Sequence, residues 1–136
     1  MQVHGACHCG SIEYDAEVEP AHVGVCHCTD CQTLSGSAFT IFAPVPKEAF
    51  RLTKGRPKIY VKTAESGARR AQAFCADCGT RIYASAELDP QRFNLRVGAM
   101  RERAQLPPRV QLWCRSALPW VMSLGSLEKM DRQPAS

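Results

Sequence analysis

The chain has 136 residues, of which 45% are hydrophobic and 22% are charged. This balance is typical of a globular protein and excludes a disordered chain. The formal net charge of +4 is small and the basic residues are dispersed, which argues against a nucleic-acid-binding surface. A length of this order fits one domain, so we expect residues 1–136 to form a single unit.

Short alternating segments rich in β-branched and aromatic residues recur along the chain and predict strands. They cover residues 12–14, 39–42, 50–52, 59–61, 81–83, 93–97 and 110–113. Short helical turns are expected at 29–34, after the N-cap pair Thr29 and Asp30, and at 46–49. The polar tail, 125–136, is expected to fray at its end. The pattern predicts a mainly β fold of small antiparallel sheets.

The beginning of the chain indicates a compartment. It has no charged segment followed by an apolar one, and no apolar run approaches the roughly 18 residues of a membrane span. We therefore expect a cytoplasmic protein. In a reducing cytoplasm, clustered cysteines are more often metal ligands or catalytic thiols than disulfides.

Seven of the eight cysteines fall into three short clusters, and Cys114 stands alone. Ligands two or three residues apart on a turn can direct two sulfurs at one tetrahedral zinc ion. A glycine after a pair permits the backbone angles of such a turn, and we expect Gly79 also to direct its N–H to a sulfur. The clusters read Cys7-His8-Cys9-Gly10, Cys26-His27-Cys28-Thr29-Asp30-Cys31 and Cys75-Ala76-Asp77-Cys78-Gly79.

Two of these clusters together make a complete ligand set. Cys7 and Cys9 with Cys75 and Cys78 provide four thiolates, which is the set of a closed structural zinc site. Such a site links distant parts of the chain, and its binding energy, on the order of 10 kcal/mol, becomes folding energy.

The remaining cluster, Cys26, Cys28 and Cys31, supplies only three ligands. Three protein ligands with one open position are typical of a catalytic zinc, so we predict a second, open site. A fourth ligand from Cys114 or a histidine is the alternative, and it would make the chain a zinc-stabilised interaction module without catalysis.

The residues near the clusters have simpler interpretations. We interpret Cys114, Trp113 and Trp120 as core residues; the alternative for a tryptophan near an open metal is a place in the lining of a substrate pocket. The ring of His27 is expected to point away from the metal, with a proton shuttle as the alternative. The sequence identifies no partner for His4, His8 or His22.

The order of these motifs resembles that of a known family. The chain reads Gly5-x-Cys7-x-Cys9-Gly10-x-Ile12-x-Tyr14, Cys26-His27-Cys28-x-x-Cys31, Ser35-Gly36-Ser37-Ala38-Phe39, Phe74-Cys75-x-x-Cys78-Gly79-Thr80 and Leu118-Pro119-Trp120. Over residues 5–121 this pattern resembles the glutathione-dependent formaldehyde-activating enzyme family, to which centromere protein V relatives also belong. Where many relatives read His-Ile before the last aromatic strand, this chain has Gln111-Leu112, and Val97-Gly98-Ala99-Met100 replaces the commoner Val-Gly-Ser-Leu-Asp.

The resemblance implies a fold, two metal sites and a reaction. The fold is the Mss4-like β-tent. The equivalents of Cys7, Cys9, Cys75 and Cys78 hold a structural zinc, and those of Cys26, Cys28 and Cys31 hold a catalytic zinc, giving two Zn²⁺ per chain. The founding reaction joins formaldehyde to glutathione as S-hydroxymethylglutathione and is classified as carbon–sulfur lyase chemistry.

The chemistry of a three-thiolate zinc favours a small thiol as substrate. A soft, thiolate-rich site suits the exchange of water for a substrate thiol better than strong acidification of water. A glutathione-like substrate carries carboxylates, which Lys62, Arg69 or Arg70 can bind. We expect no nucleic-acid partner, because seven thiolates and two Zn²⁺ lower the formal charge of +4 to about +1. We expect no membrane partner, because no apolar run is long enough to span a bilayer.

Overall fold

The computed structural model describes residues 1–134, which form ten strands, one α-helix and short 3-10 segments. The chain end that we expect to fray includes residues 135 and 136, which lie outside the described residues. The mainly β architecture predicted from the sequence is confirmed. The elements are β1 (Gln2–Ala6), β2 (Glu13–Glu17), β3 (Gly24–Cys26), α1 (Thr29–Ser35), β4 (Thr40–Pro46), β5 (Phe50–Lys54), β6 (Lys58–Thr63), β7 (Arg69–Phe74), β8 (Arg81–Ala86), β9 (Arg92–Arg96) and β10 (Val110–Leu112).

The strands form two sheets. The smaller has the order β1-β2-β5, and the larger has the order β10-β3-β4-β9-β8-β7-β6. All pairs are antiparallel except β10 and β3, which run parallel with Val110 opposite Gly24 and Leu112 opposite Cys26. The expected antiparallel sheets are thus present, and this one parallel pair is the exception. A parallel pair needs a long crossover, and the chain between β3 and β10 provides it.

Both helical predictions have counterparts, whereas three strands were not predicted. Helix α1 begins at Thr29, and a 3-10 segment, Lys47–Ala49, lies within the second predicted turn. Strands β1, β3 and β7 are short or rich in glycine, alanine and charged residues. Pairing with neighbours on both sides outweighs the weak propensity of β7, because β6 and β8 hydrogen-bond to it along its length.

The core lies between the two sheets. Tyr14 of β2 and Val45 and Leu95 of the larger sheet are almost fully buried in it. Phe50 contacts Tyr14, Tyr83 and Phe93 through edge-on or tilted ring pairs. This burial supplies the main apolar stabilisation of the fold.

The two tryptophans expected in the core are not there. Trp113 is 44% exposed and Trp120 is 53% exposed. Both follow β10, which is the end strand of the larger sheet, and lie on the C-terminal side of it. The prediction of core positions was wrong. Among residues 1–134, no further strand pairs with the outer edge of β10, and the apolar character of a residue does not reveal this.

The outer face of the larger sheet positions the candidate site. Successive strand residues point to opposite faces, so Leu95 and Ala71 enter the core while their neighbours Arg96 and Arg70 point away from it. Each of the seven strands contributes at least one residue to a cavity on that outer face. In the part of the chain that the structure describes, no helix is long and apolar enough to cross a bilayer.

Candidate metal centres

Cys7, Cys9, Cys75 and Cys78 converge into one four-sulfur cluster. The first two lie on the β1–β2 turn and the last two on the β7–β8 turn, and all four sulfurs lie within 4.8 Å of one another. The Sγ atoms of Cys7 and Cys9 are 3.7 Å apart, and those of Cys9 and Cys75 are 3.8 Å apart. Zn–S bonds of about 2.3 Å in a tetrahedron require S···S distances of about 3.8 Å. The donor set therefore fits a tetrahedral zinc ion.

Glycines shape both turns of this cluster. Gly10 and Gly79 each have a φ of 80°, in the left-handed region that favours glycine. The Gly79 N–H donates to the carbonyl of Cys75 at 2.8 Å, so it does not donate to a sulfur as we predicted. The Thr80 hydroxyl lies 3.2 Å from the Cys78 sulfur, and this hydrogen bond is the main cause that lowers the pKa of the Cys78 thiol to about 5. Such a thiol is suited to bind metal as thiolate.

Cys26, Cys28 and Cys31 form a second cluster, with their three sulfurs within 4.8 Å of one another. Cys26 ends β3, Cys28 caps α1, and the Cys31 N–H donates to the Cys28 sulfur at 3.2 Å. In residues 1–134, no histidine, carboxylate or further cysteine joins these three within that distance. The three half-buried thiols fit a zinc site with one position left for a substrate.

The pKa values of this cluster favour a thiolate at Cys31. The hydrogen bond with Cys26 is the main cause that lowers the pKa of the Cys31 thiol to about 5, and Cys28, Thr40 and Arg96 add to the effect. The same hydrogen bond, followed by burial, raises the pKa of Cys26. The site thus favours a thiolate at Cys31, the form in which cysteine binds a metal ion.

Cys114 lies apart from both clusters. It is exposed, and its thiol donates weakly to the carbonyl of Gln111 at 3.7 Å. The interpretation of Cys114 as a core residue was wrong. It begins a 3-10 segment, Cys114–Ser116, that follows the end strand β10, where no second layer covers it.

The ring of His27 points away from the sulfurs, as we expected. The side chain is 1% exposed, and its Nε2 lies 2.8 Å from Oε1 of Gln111. It packs edge-on against Phe39 with ring centroids 5.6 Å apart. Nδ1 is buried without a hydrogen-bond partner in the described chain. A proton shuttle through this ring would need a hydrogen-bond partner at both nitrogens, but among the described residues only Nε2 has one.

The loop that carries the second cluster is held by the segment after β10. The Gln32 amide donates to the carbonyls of His27, at 2.8 Å, and Ser116, at 3.0 Å. The His27 N–H donates to the carbonyl of Leu112 at 3.0 Å. Trp113 sits at this junction with a φ of 57°, an uncommon value for a bulky residue. These bonds fix the ligand loop against the wall of the cavity.

A cavity of about 390 Å³ opens over the second cluster. Leu112 and Trp113 form part of one wall, and Lys62, Arg70 and Arg96 bring positive charge to the lining. Arg69 lies outside this lining and pairs with Glu87 at 2.8 Å. A larger groove of about 650 Å³ lies over β1 and β2, but its lining contains no cysteine. The smaller cavity is therefore the candidate substrate site.

Sequence reasoning missed Arg96 and a partner of His4. Arg96 alternates with Leu95 and Val97 in a predicted strand, so the period of two already placed it on the opposite face from the core. His4 Nδ1 bonds the Glu102 carboxylate at 3.0 Å. These two residues are 98 positions apart, and a local sequence pattern carries no signal for such a pair.

Comparisons with known proteins identify the family. The sequence model described as glutathione-dependent formaldehyde-activating enzyme matches residues 2–116. Relatives from Penicillium rubens and Phaeosphaeria nodorum, both named after this enzyme, are 34% and 30% identical over 61% and 57% of this chain. The matches span only 44% and 40% of those relatives' own lengths.

A solved structure supports the same fold. The crystal structure of a Rhodobacter sphaeroides protein superposes with a TM-score of 0.62 and 20% identity, covering 79% of this chain and 98% of that one. At this identity the likeness concerns the fold alone, whereas the family match covers most of the sequence. The chain therefore belongs to the glutathione-dependent formaldehyde-activating enzyme family.

Proposed function

We propose that the chain is a zinc-dependent enzyme of the carbon–sulfur lyase type that acts on a small thiol or its adduct, such as glutathione with formaldehyde. One observation carries the proposal: three convergent cysteine sulfurs, without a fourth ligand among residues 1–134, face a cavity of about 390 Å³. The family match and the names of the fungal relatives support the choice of substrate.

Cys26, Cys28 and Cys31 would hold the catalytic zinc, and Cys7, Cys9, Cys75 and Cys78 the structural one. When bound, the catalytic zinc supplies a Lewis acid that favours the thiolate form of a substrate thiol. The structural site has its ligands on turns of both sheets, so its role is to stabilise the fold. The free state of all eight cysteines suits the reducing cytoplasm in which we place the protein.

The reaction needs little from acid–base residues. The thiol sulfur bonds to the carbonyl carbon of formaldehyde, the carbonyl π bond breaks, and the proton lost from the thiol ends on the new hydroxyl. The lining of the cavity, as described for residues 1–134, contains no histidine, aspartate or glutamate. The proton therefore passes through solvent at the mouth, while the chain binds and orients the thiol.

The walls of the cavity set the environment of the sulfur. Phe42, Leu112 and Trp113 are apolar and lower the local dielectric beside the cysteines. The Thr40 hydroxyl, which bonds the Cys31 carbonyl at 3.4 Å, fixes the floor of the cavity. Together these groups exclude part of the water that would compete with a thiol for the open position.

Exchange spectroscopy tests this proposal. A catalytic amount of zinc-loaded protein is added to glutathione and ¹³C-formaldehyde, and NMR measures exchange between free formaldehyde and S-hydroxymethylglutathione. We expect faster exchange with the same equilibrium position. Cys28→Ser should remove the acceleration, and Cys114→Ser should retain it. Equal exchange rates with and without the unaltered protein would contradict the proposal.

An interaction module without catalysis is the second candidate. It is favoured by exposed apolar side chains in the C-terminal segment, where Met122 is 79% exposed and Leu127 is 62% exposed. This candidate predicts that the second metal site binds no thiol and does not accelerate the exchange. The exchange measurement therefore separates the two candidates.

A further inference from the structure

The cavity over Cys26, Cys28 and Cys31 contains basic groups but, among the described residues, no carboxylate in its lining. Lys62 is neutralised by Asp30, with Nζ and Oδ2 at 2.9 Å. Arg70 and Arg96 make no ion pair in the part of the chain that the structure describes. Two guanidinium groups without a carboxylate partner therefore line the cavity.

Arg96 has hydrogen-bond donors that its protein neighbours do not use. Its terminal nitrogen reaches Oε1 of Gln72 at 3.5 Å, but the same oxygen already accepts a shorter bond, 2.6 Å, from Arg81. Among residues 1–134, Nε of Arg81 is buried without a hydrogen-bond partner, whereas no nitrogen of Arg96 is buried in this way. The other donors of Arg96 are therefore accessible, and because Arg96 lines the cavity, an anion there can accept them.

The guanidinium of Arg96 is largely buried, so leaving its positive charge without a partner is unfavourable. Burial, followed by the positive charge of Arg81, lowers the pKa of Arg96 to about 10. A charge in such a position is stabilised by a carboxylate, which can accept two parallel N–H bonds from one guanidinium.

The sheet leaves room for that carboxylate. Arg96 lies on β9 and Arg70 on β7, two strands apart, and the register offsets them by about four residues along the strands, so their backbones are about 16 Å apart. On the intervening strand β8 the cavity is lined by Ala84, whose methyl group fills little of the space. Ala84 lies midway between the rows of Arg70 and Arg96, so the two long side chains can extend toward one group above it from opposite ends.

We propose that Arg96, assisted by Arg70, binds a carboxylate of the substrate, so that the enzyme selects acidic thiols over neutral ones. This inference rests on the proposed function and narrows its substrate class. The alternative is that both arginines only balance the charge of the three thiolates. In that case the charge on the substrate would not influence its binding.

Cobalt-substituted protein offers a test that does not depend on turnover. A thiol that enters the open position changes the ligand-field spectrum, so the dissociation constant can be measured for 3-mercaptopropionate and for its uncharged methyl ester. We expect Arg96→Met to weaken binding of the acid about 10- to 100-fold and to leave binding of the ester unchanged. Arg69→Met, which alters an exposed arginine paired outside the cavity, is the matched control and should change neither constant.

A second measurement uses the unaltered protein, in case Arg96→Met does not fold. Acetate should compete with the acidic thiol at this subsite but not with its ester. The inference is overturned if acid and ester respond equally to the substitution and to acetate, which would leave the arginines as counter-charges. If neither thiol alters the cobalt spectrum of the unaltered protein, the proposed function itself fails, and the inference fails with it.

Discussion

Cys31 shows how a single residue links the local fold to the chemistry of the second site. Its N–H donates to the Cys28 sulfur, its carbonyl accepts from Thr40, and its sulfur faces the cavity. The backbone of Cys31 thus holds the cap of α1 while its side chain serves as a candidate ligand. A side-chain substitution can therefore remove the ligand and keep the backbone bonds.

Replacing Cys31 by serine should empty one metal site only. A serine hydroxyl is a poor zinc ligand compared with a thiolate, so we expect the zinc content to fall from two equivalents to one. The melting temperature should change little, because the four-thiolate site is intact. Elemental analysis and thermal unfolding measure the two effects, and Cys114→Ser should retain both equivalents. A variant of Cys31 that retained both would show that this cysteine is not a ligand.

The residues of the site differ in how visible they are from sequence. The seven clustered cysteines were singled out because metal ligands on turns recur at short spacings, and the structure brings them together in two groups. Arg96 and Gln72 were not found, because their roles depend on strand order in the larger sheet. Gln111 was noticed as a departure from relatives, but its bond to His27 spans 84 positions. Sequence spacing identifies candidate ligands, whereas their surroundings depend on the fold.

At the scale of elements, close backbone packing explains one glycine of the family pattern. Gly5 of β1 is directly opposite Tyr14 of β2, whose ring crosses the position that a Cβ at residue 5 would occupy. Tyr14 is 1% exposed and contacts Phe50, so its ring cannot swing away without disturbing the core. The β1–β2 pair thus requires glycine at this position because of its neighbour, not because of its own backbone angles.

Gly5→Ala should therefore destabilise the protein. Overpacking of this kind costs about 1–3 kcal/mol in the free energy of unfolding, which urea denaturation can measure. Gly98→Ala is the matched control, because a Cβ at Gly98 meets nothing within 4 Å, and it should be close to neutral. Equal stability of the two variants would show that the ring of Tyr14 moves aside easily.

The accuracy of the strand predictions follows from side-chain character. Strands such as β6 and β9 were predicted because β-branched and aromatic residues alternate in them. Strand β7 was missed because its sequence, Arg-Arg-Ala-Gln-Ala-Phe, has low β propensity. The parallel pairing of β10 with β3 was missed for another reason. It joins segments more than 80 positions apart, and the sequence of one segment does not indicate which strand it pairs with.

At the scale of the whole molecule, the two candidate metal sites have different relations to the fold. The four-thiolate site joins the β1–β2 turn of the smaller sheet to the β7–β8 turn of the larger one, and Cys9 and Cys75 are 66 positions apart. The three-thiolate site takes its ligands from residues 26–31. Removing the first metal frees a long loop, whereas removing the second frees almost none. The two ions should therefore differ in how tightly they are held and in what their loss does to the fold.

Stepwise chelation followed by native mass spectrometry and circular dichroism tests most directly whether the chain has one closed and one open zinc site. Each addition of a mild chelator is followed by a count of bound zinc and a spectrum of the β fold. We expect a stable species with one zinc and an unchanged spectrum, because the three-thiolate site loses its ion first. Loss of both ions in a single step, together with the fold, would contradict the account.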